Sequence, residues 1–469
     1  MADSFVGRRV TVMGLGTRGG GLGVSRFLAE RGALVTVTDA KPAAALAEPM
    51  AALAGLPIRF VLGGHDEADF SPGRADFVVR NPGVPRRAPM LEVARRHGLP
   101  VEMEMTLFFR ACPAPVIGVT GTKGKTSTAT LAAAMLCAWR PDTILAGNMG
   151  VSALEQLTRI GPETPVVIEL SSWQLEGLAE HRQAPAIATL TMIAPDHLDA
   201  YEGFADYAAI KRSVTHYQRP GDTLIVNADD PEAWRAAAET AATVLPFGGA
   251  DRGGDGAWLD ADDLHLRWQG ETTAVALPDK PALAGPHHAR NALAAMAAAR
   301  LRGAPMSAVA AGLAAFEGVA DRMETVAEIG GVRFVNDTSA TAPVAAVAAL
   351  RSYPVGVVHL IAGGADKRLD AAPLAAEAAA RARAVYLLDG TGTPALADGL
   401  RRAGVAPVGP FGGMAAAVGA AAAAARAGDV VLLSPGCASF GLFRDEFDRG
   451  ERFRQAVRAL VTATAAVPA

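Results

Sequence analysis

With 469 residues, half of them hydrophobic and a fifth charged, the chain reads as a soluble globular protein too long for one hydrophobic core, and about three domains of ordinary size are expected. A net charge of −4 leaves no basic footprint for nucleic acid, and three cysteines, Cys112, Cys137 and Cys437, are too few and too scattered for a disulfide framework or a zinc cluster. The N-terminus has no apolar targeting core, and no later run is apolar enough to span a bilayer, so a cytoplasmic protein without membrane insertion is expected.

The first strand, Arg9-Val-Thr-Val-Met, runs into Gly14-Leu-Gly16-Thr17-Arg18-Gly19 and then a helix. The next strand, Ala33 to Asp39, ends in a carboxylate. Glycines for a tight turn, a helix N-terminus for a diphosphate and an acid for a ribose match the dinucleotide fingerprint, so an NAD-dependent oxidoreductase is a reading to keep. Asp76-Phe-Val-Val-Arg is another strand, and its loop at Asn81 reaches the same carboxyl edge. Val101 to Arg110 carries the connection to the next domain.

The stretch Gly118-Val-Thr120-Gly121-Thr122-Lys123-Gly124-Lys125-Thr126-Ser127 follows an apolar strand and opens a helix. It is a variant P-loop. Its glycines let backbone N–H groups converge on phosphate oxygens, Lys125 reaches the β/γ-phosphates, and the Thr126 hydroxyl can ligate Mg²⁺. A plain strand-to-helix turn would need the glycines but not the lysine and threonine directly after them.

Three further polar positions close strands of the same region. Asn148 lies in a glycine-bracketed loop, Glu169 ends the strand beginning at Pro165, and Asp196-His197-Leu-Asp199 ends a strand beginning at Ala186. Glu169 is placed for Mg²⁺ or, alternatively, caps the next helix. His197 is a metal ligand or an ordinary histidine, and Lys211, on the helix after Tyr207, is by default a solvated lysine. Asp222 to Asp230 is a strand and acidic loop, and Ala257 to Leu277 a short antiparallel hairpin at the sheet margin. Neither is assigned chemistry.

In the last third, strands at Gly331–Asn336, Val357–Ala362, Ala384–Asp389 and Asp429–Ser434 each run into a polar or glycine loop. These loops carry Asp337, Ser339 and Thr341, then Gly363, Gly364 and Lys367, then Ser439 and Phe440. The alanine tract from Ala415 to Ala425, bounded by Gly413 and Gly428, is one helix.

The P-loop, Gly-Asn148, Glu169-Leu-Ser-Ser, Asp196-His197-Leu-Asp199 with Lys211, Gly285-Pro-His-His-Ala-Arg-Asn291 and Asp321-Arg322 together resemble the Mur ligases, across essentially the whole chain. The resemblance implies an α/β protein of three domains: a Rossmann-like UDP-substrate domain (1–103), a central P-loop ATP domain (104–320) and a Rossmann-like glutamate domain (321–469). It implies a monomer whose substrates are ATP, UDP-N-acetylmuramoyl-L-alanine and glutamate, with Mg²⁺. Lys125, Glu169, His197 and Lys211 would be catalytic, with a carbamylated Lys211 holding a second Mg²⁺ beside His197. Gly121 to Ser127, Asn291, Arg322 and Asp337 would bind ATP. Gly16, Thr17, Arg18, Lys41, Asn81, Asn148 and His197 would bind the UDP substrate, and Thr341, Lys367, Ser439 and Phe440 the glutamate; Lys367 is otherwise an exposed loop lysine. The family pattern has a lysine where this chain has Ser339, and a related branch uses L-glutamate. D-Glutamate is the expectation and L-glutamate the alternative.

The chemistry is coherent. A carboxylate is a poor acyl donor until phosphorylated, and two metal ions with Lys125 can neutralise the charge on the transferring phosphoryl group. A regulatory module or motor ATPase would use the P-loop without forming an amide. Folylpolyglutamate synthase, of the same superfamily, lacks a dinucleotide-like N-terminal domain.

Overall fold

A computed structural model of the chain describes residues 5–16, 20–149, 151–198, 200–283 and 285–465. Thr17, Arg18 and Asp199 lie outside the described residues. The protein is α/β, and among the described residues its strands form three sheets. Two compact units partition the chain: Met1–Ile193, Ala208–Ala276 and Asn291–Ala314 make the first, and Ala194–Tyr207, Leu277–Arg290 and Ala315–Ala469 the second.

The first unit holds two sheets. In the N-terminal sheet β1 (Arg9–Met13), β2 (Leu34–Asp39), β3 (Ile58–Leu62), β4 (Phe77–Arg80) and β5 (Val101–Glu102) are parallel, in the order β3-β2-β1-β4-β5. The loop after β1 therefore opens where the strand order reverses, the place where open α/β sheets bind ligands. The stretch expected to connect the domains forms β5 and then the helix Glu104–Ala111.

The second sheet runs from β6 (Val116–Thr120), β7 (Ile144–Gly147), β8 (Val166–Glu169), β9 (Ile187–Leu190), β10 (Thr223–Asn227) and β11 (Thr243–Gly248) into β12 (Gly256–Asp260), β13 (Asp263–Trp268) and β14 (Glu271–Ala276). Its order is β14-β13-β12-β11-β10-β9-β6-β8-β7. The expected hairpin after Ala257 is a three-stranded antiparallel meander, because Asp263–Trp268 pairs on both sides. The helix Pro286–Leu301 is enclosed over its later turns, every residue from Ala292 to Ala299 being 0% exposed. Small side chains allow such burial on all sides without overpacking. The P-loop helix Lys125–Cys137 is approached as closely, for a Cβ at Gly312 would lie 2.4 Å from Met135 Cα.

The second unit contains the third sheet, formed by β15 (Glu324–Ile329), β16 (Val332–Asn336), β17 (Val358–Ala362), β18 (Ala382–Leu388), β19 (Val408–Phe411) and β20 (Val430–Leu433) in the order β15-β16-β20-β17-β18-β19. β15 is antiparallel and the rest parallel. Alternate residues feed two cores, Val335, Leu360 and Leu432 on one face and Phe334, Ile361 and Leu433 on the other. Burial on both faces is why these strands read as continuous apolar runs. The alanine tract is the helix Met414–Ala424, as expected.

Within the first unit the two sheets are joined by buried polar contacts. Arg80, at the end of β4 and 1% exposed, donates to Glu176 Oε2 at 2.8 Å and to Val84 O at 2.9 Å. Glu176 lies on the helix Ser172–Glu180 and is itself buried. Removing one partner of such a pair leaves an uncompensated charge in the interior. Arg80→Met is therefore expected to lower stability by about 3–5 kcal/mol, and the double variant with Glu176→Met by less. Chemical denaturation of the three proteins checks this.

A second joint is pH-sensitive. The Glu104 carboxyl accepts from Ser152 Oγ at 2.5 Å, faces the N–H groups of Ala153 and Leu154, and is pushed up to about 7 chiefly by burial. The folded state holds this proton at pH values where the unfolded chain, with an ordinary glutamate, releases it. Stability from the protonated acid is present in full below the unfolded value of 4.5 and is lost as pH rises through about 7. Between pH 5 and 8 the parent is expected to lose roughly 3 kcal/mol relative to Glu104→Gln, measured as thermal midpoints across pH.

Candidate active site

β6 lies between β8 and β9, and its carboxyl end delivers the P-loop. The loop is packed too tightly for side chains at its glycines. A Cβ on Gly121, with φ +142°, would sit 2.0 Å from Thr191 Oγ1, and one on Gly124, with φ +85°, 2.5 Å from Asn291 Oδ1. Thr122 N–H donates to Met192 O at 2.7 Å, and Thr191 Oγ1 donates to Lys123 O at 2.6 Å. Gly124 has no side chain to cap the helix Lys125–Cys137, so its first-turn N–H groups point at the loop with the positive end of the helix dipole. Lys125 Nζ donates to Thr122 O at 2.9 Å, folded over the loop, while Thr122, Thr126 and Ser127 are buried.

Glu169 closes β8 beside this loop, because the β6/β8 register pairs Val119 with Glu169. It is 1% exposed; Oε1 accepts from Asn148 Nδ2 at 3.0 Å, and Oε2 is buried with no hydrogen-bond partner among the described residues. It does not cap the next helix. Ser171 does so, in a reciprocal capping box with Gln174. Lys211 is not solvated either: it is 2% exposed, with Nζ 3.3 Å from Thr120 Oγ1 at the end of β6. The first unit therefore brings together the P-loop, Asn148, Glu169, Lys211 and Asn291.

An orphaned, buried carboxylate oxygen next to a P-loop fits a hard divalent cation, which takes oxygen ligands and keeps several waters and phosphate oxygens. No group of three His, Cys, Asp or Glu that could cage a metal occurs among the described residues. A site completed by hydroxyl, phosphate and water is consistent with that.

In the N-terminal sheet Asp39 has its oxygens on backbone: Oδ2 accepts from Leu15 and Gly16 N–H at 3.0 and 3.2 Å, and Oδ1 from Lys41 N–H at 2.9 Å. It is buried as a loop brace rather than turned outward to a ribose, which removes the main support for a nicotinamide cofactor. Asn81 packs on the same loop, 2.9 Å from where a Cβ of Gly14 would stand and 3.2 Å from one of Gly16. The side chain of Lys41 is exposed.

The strand expected to carry His197 ends at Leu190. Thr191 turns its hydroxyl to the P-loop, its N–H still donating to Thr120 O at 3.0 Å, and His197 belongs to the second unit. Its φ of +52° is a strained, left-handed conformation, and its N–H donates to Asp196 Oδ1 at 3.0 Å. In the same unit Lys367 Nζ donates to Thr341 Oγ1 at 3.1 Å and lies 3.5 Å from Asp196 Oδ1, so it is not a free-standing loop lysine. Ser439 is buried beside the bridge between Ala365 and Ala438, whereas Phe440 is 60% exposed. Asp337 accepts from Ser434 Oγ at 2.8 Å and from Met323 N–H at 3.3 Å, next to Arg322. Sequence reasoning missed Thr191, whose only signal was a threonine one step past a strand.

Three family models cover most of the chain. The Mur ligase MurD-like N-terminal domain matches residues 8–102, the Mur ligase middle domain 119–299, and the Mur ligase glutamate ligase domain 321–437. The UDP-N-acetylmuramoylalanine--D-glutamate ligase of Roseiflexus sp. (strain RS-1) is 49% identical, covering 97% of this chain and 99% of that protein. Its counterpart from Symbiobacterium thermophilum is 40% identical over 98% and 100%. Among solved structures, the UDP-N-acetylmuramate-alanine ligase MurC of Thermotoga maritima shares the fold at a TM-score of 0.61 and 18% identity, covering 96% and 99%. The MurF ligase of the same organism, in complex with ADP, does so at 0.56 and 16%, covering 98% of each chain. With this identity over nearly its full length, and with the P-loop, Glu169 and Lys211 gathered at one sheet edge, the chain belongs to the Mur ligase family.

Proposed function

We infer that the chain is an ATP-dependent amide-forming ligase that adds D-glutamate to UDP-N-acetylmuramoyl-L-alanine, a step of peptidoglycan precursor synthesis in the cytoplasm. The observation that carries this reading is the buried Glu169, one oxygen without a partner, on the strand beside the P-loop. The relatives named as D-glutamate ligases, matched over their whole length, support D- over L-glutamate despite Ser339. The ADP complex of the MurF ligase supports ATP as the nucleotide. Residues 1–103 would take the UDP substrate, 104–320 ATP and 321–469 glutamate, with the chain acting as a monomer.

The reaction follows from the groups present. An oxygen of the substrate carboxylate attacks the γ-phosphorus and ADP leaves. The glutamate amine, its ammonium proton lost to solvent, then attacks the acyl carbon, inorganic phosphate departs with the C–O bond electrons, and the nitrogen gives a second proton to the departing phosphate or solvent as the amide forms. Lys125 and the N–H groups of the P-loop helix hold the phosphates and offset charge on the transferring group. Thr126, Glu169 and a carbamylated Lys211 are the groups of the first unit that would hold Mg²⁺, which when bound supplies further charge neutralisation. Carbamylation exchanges the buried Lys211 cation for an anion, the sign a metal site requires. Lys367, with Thr341, offers a cation to a glutamate carboxylate.

Purified protein given ATP, Mg²⁺ and UDP-N-acetylmuramoyl-L-alanine is expected to release phosphate with D-glutamate and not with L-glutamate. Equal rates with both enantiomers, or glutamate-independent hydrolysis, would refute the reading. Lys125→Ala is expected to lower kcat about 100- to 1,000-fold in the same assay. Equilibration with ¹³C-bicarbonate is expected to give a carbamate resonance that Lys211→Arg lacks.

A further inference from the structure

At the carboxyl edge of the third sheet, β16, β20 and β17 are neighbours, so the loops after them lie side by side. Backbone bonds knit these loops: Gly436 N–H to Ala340 O at 2.8 Å, Gly363 N–H to Pro435 O at 2.9 Å, and Ala365 with Ala438 in both directions at 2.9 and 3.0 Å. Beneath them lies the side chain of Arg449, from the first turns of the helix Glu446–Ala465, 0% exposed. Its Nε donates to Thr338 Oγ1 at 2.9 Å and Nη2 to Thr338 O at 2.8 Å; Nη1 donates to Cys437 O at 3.1 Å. The third loop packs on the second, since a Cβ on Gly364 would stand 2.4 Å from Ala438 O, and it lies in ordinary contact distance of Nη1, 3.5 Å from that Cβ.

We propose that Arg449 is the positioning residue of the amino-acid site, one guanidinium that sets the spacing of the two loops bearing Thr341 and Ser439, to which the Lys367 loop is knit by its backbone, and adds a buried positive charge behind them. The proposal rests on the reading that these loops take glutamate. Two features favour it over a merely structural role. The guanidinium hydrogen-bonds to no carboxylate among the described residues, so its charge is not cancelled at contact and extends to an incoming dianion. Burial draws its pKa down to about 10, with Cys437, Glu446 and Asp337 acting the other way, and it stays protonated at neutral pH. A planar fork with three separate acceptors on two loops is also a task that lysine performs poorly.

The test is steady-state kinetics of the full chain, by phosphate release, varying D-glutamate, ATP and UDP-N-acetylmuramoyl-L-alanine in turn. Arg449→Lys is expected to raise the KM for D-glutamate about ten-fold or more, with the other two KM values within about two-fold of the parent. Arg449→Met should raise it further, and Thr338→Val, which keeps the charge and removes the Nε acceptor, by an intermediate factor. An unchanged glutamate KM in these proteins, or three KM values rising together, would overturn the proposal. Should Arg449→Met not fold, Arg449→Lys and Thr338→Val decide the matter alone. A parent protein that forms no product with D-glutamate would instead refute the functional reading on which the proposal stands.

Discussion

The constraint on which the first unit turns is the burial of the Glu169 carboxylate with only one oxygen hydrogen-bonded to a side chain. An anion so placed is costly unless something positive completes it. The β6/β8 register fixes where that charge stands, one strand from the P-loop, and Asn148 fixes how it is turned. The geometry is that of a group held ready for a cation and a phosphate, and the stability forgone there is regained in the apolar strands behind it. The strained His197 backbone belongs to the same pattern of local cost at polar positions.

Close approach is the second theme. Gly121 and Gly124 are needed less for the turn alone than for Thr191 and Asn291, which stand where side chains would be. The loop is shaped from outside, by the residue after one strand and a residue in the second turn of a helix, both distant in sequence. This is how a backbone becomes a phosphate cradle without side chains of its own.

Much of this was legible in the sequence. The P-loop spells its own chemistry, since glycine, lysine and threonine at those spacings have few other uses, and strands buried on both faces announce themselves as apolar runs. The alanine tract read correctly because alanine needs no partner to be helical. What stayed hidden depends on tertiary contact. Nothing local tells that Asp39 is consumed by backbone N–H groups instead of a ribose, or that Lys211 is buried. The end of β9 does not show in the sequence because Thr191 to Ile193 is as apolar and β-prone as the strand before it, whereas in the structure Thr191 turns its hydroxyl to the P-loop. The extra strand after Asp263 was missed because turn signals on both sides of it fit a hairpin equally well.

The helix Pro286–Leu301 has a wider consequence. Enclosed from Ala292 to Ala299, it has no face on which a larger residue could find room, so its sequence is dictated by volume and scarcely at all by chemistry. Asn291, which shapes the nucleotide loop, stands at the start of this enclosed rod. A methyl group added deep in the rod would press sideways on whatever encloses it, so strain begun where no ligand is touched bears on the helix that holds Asn291.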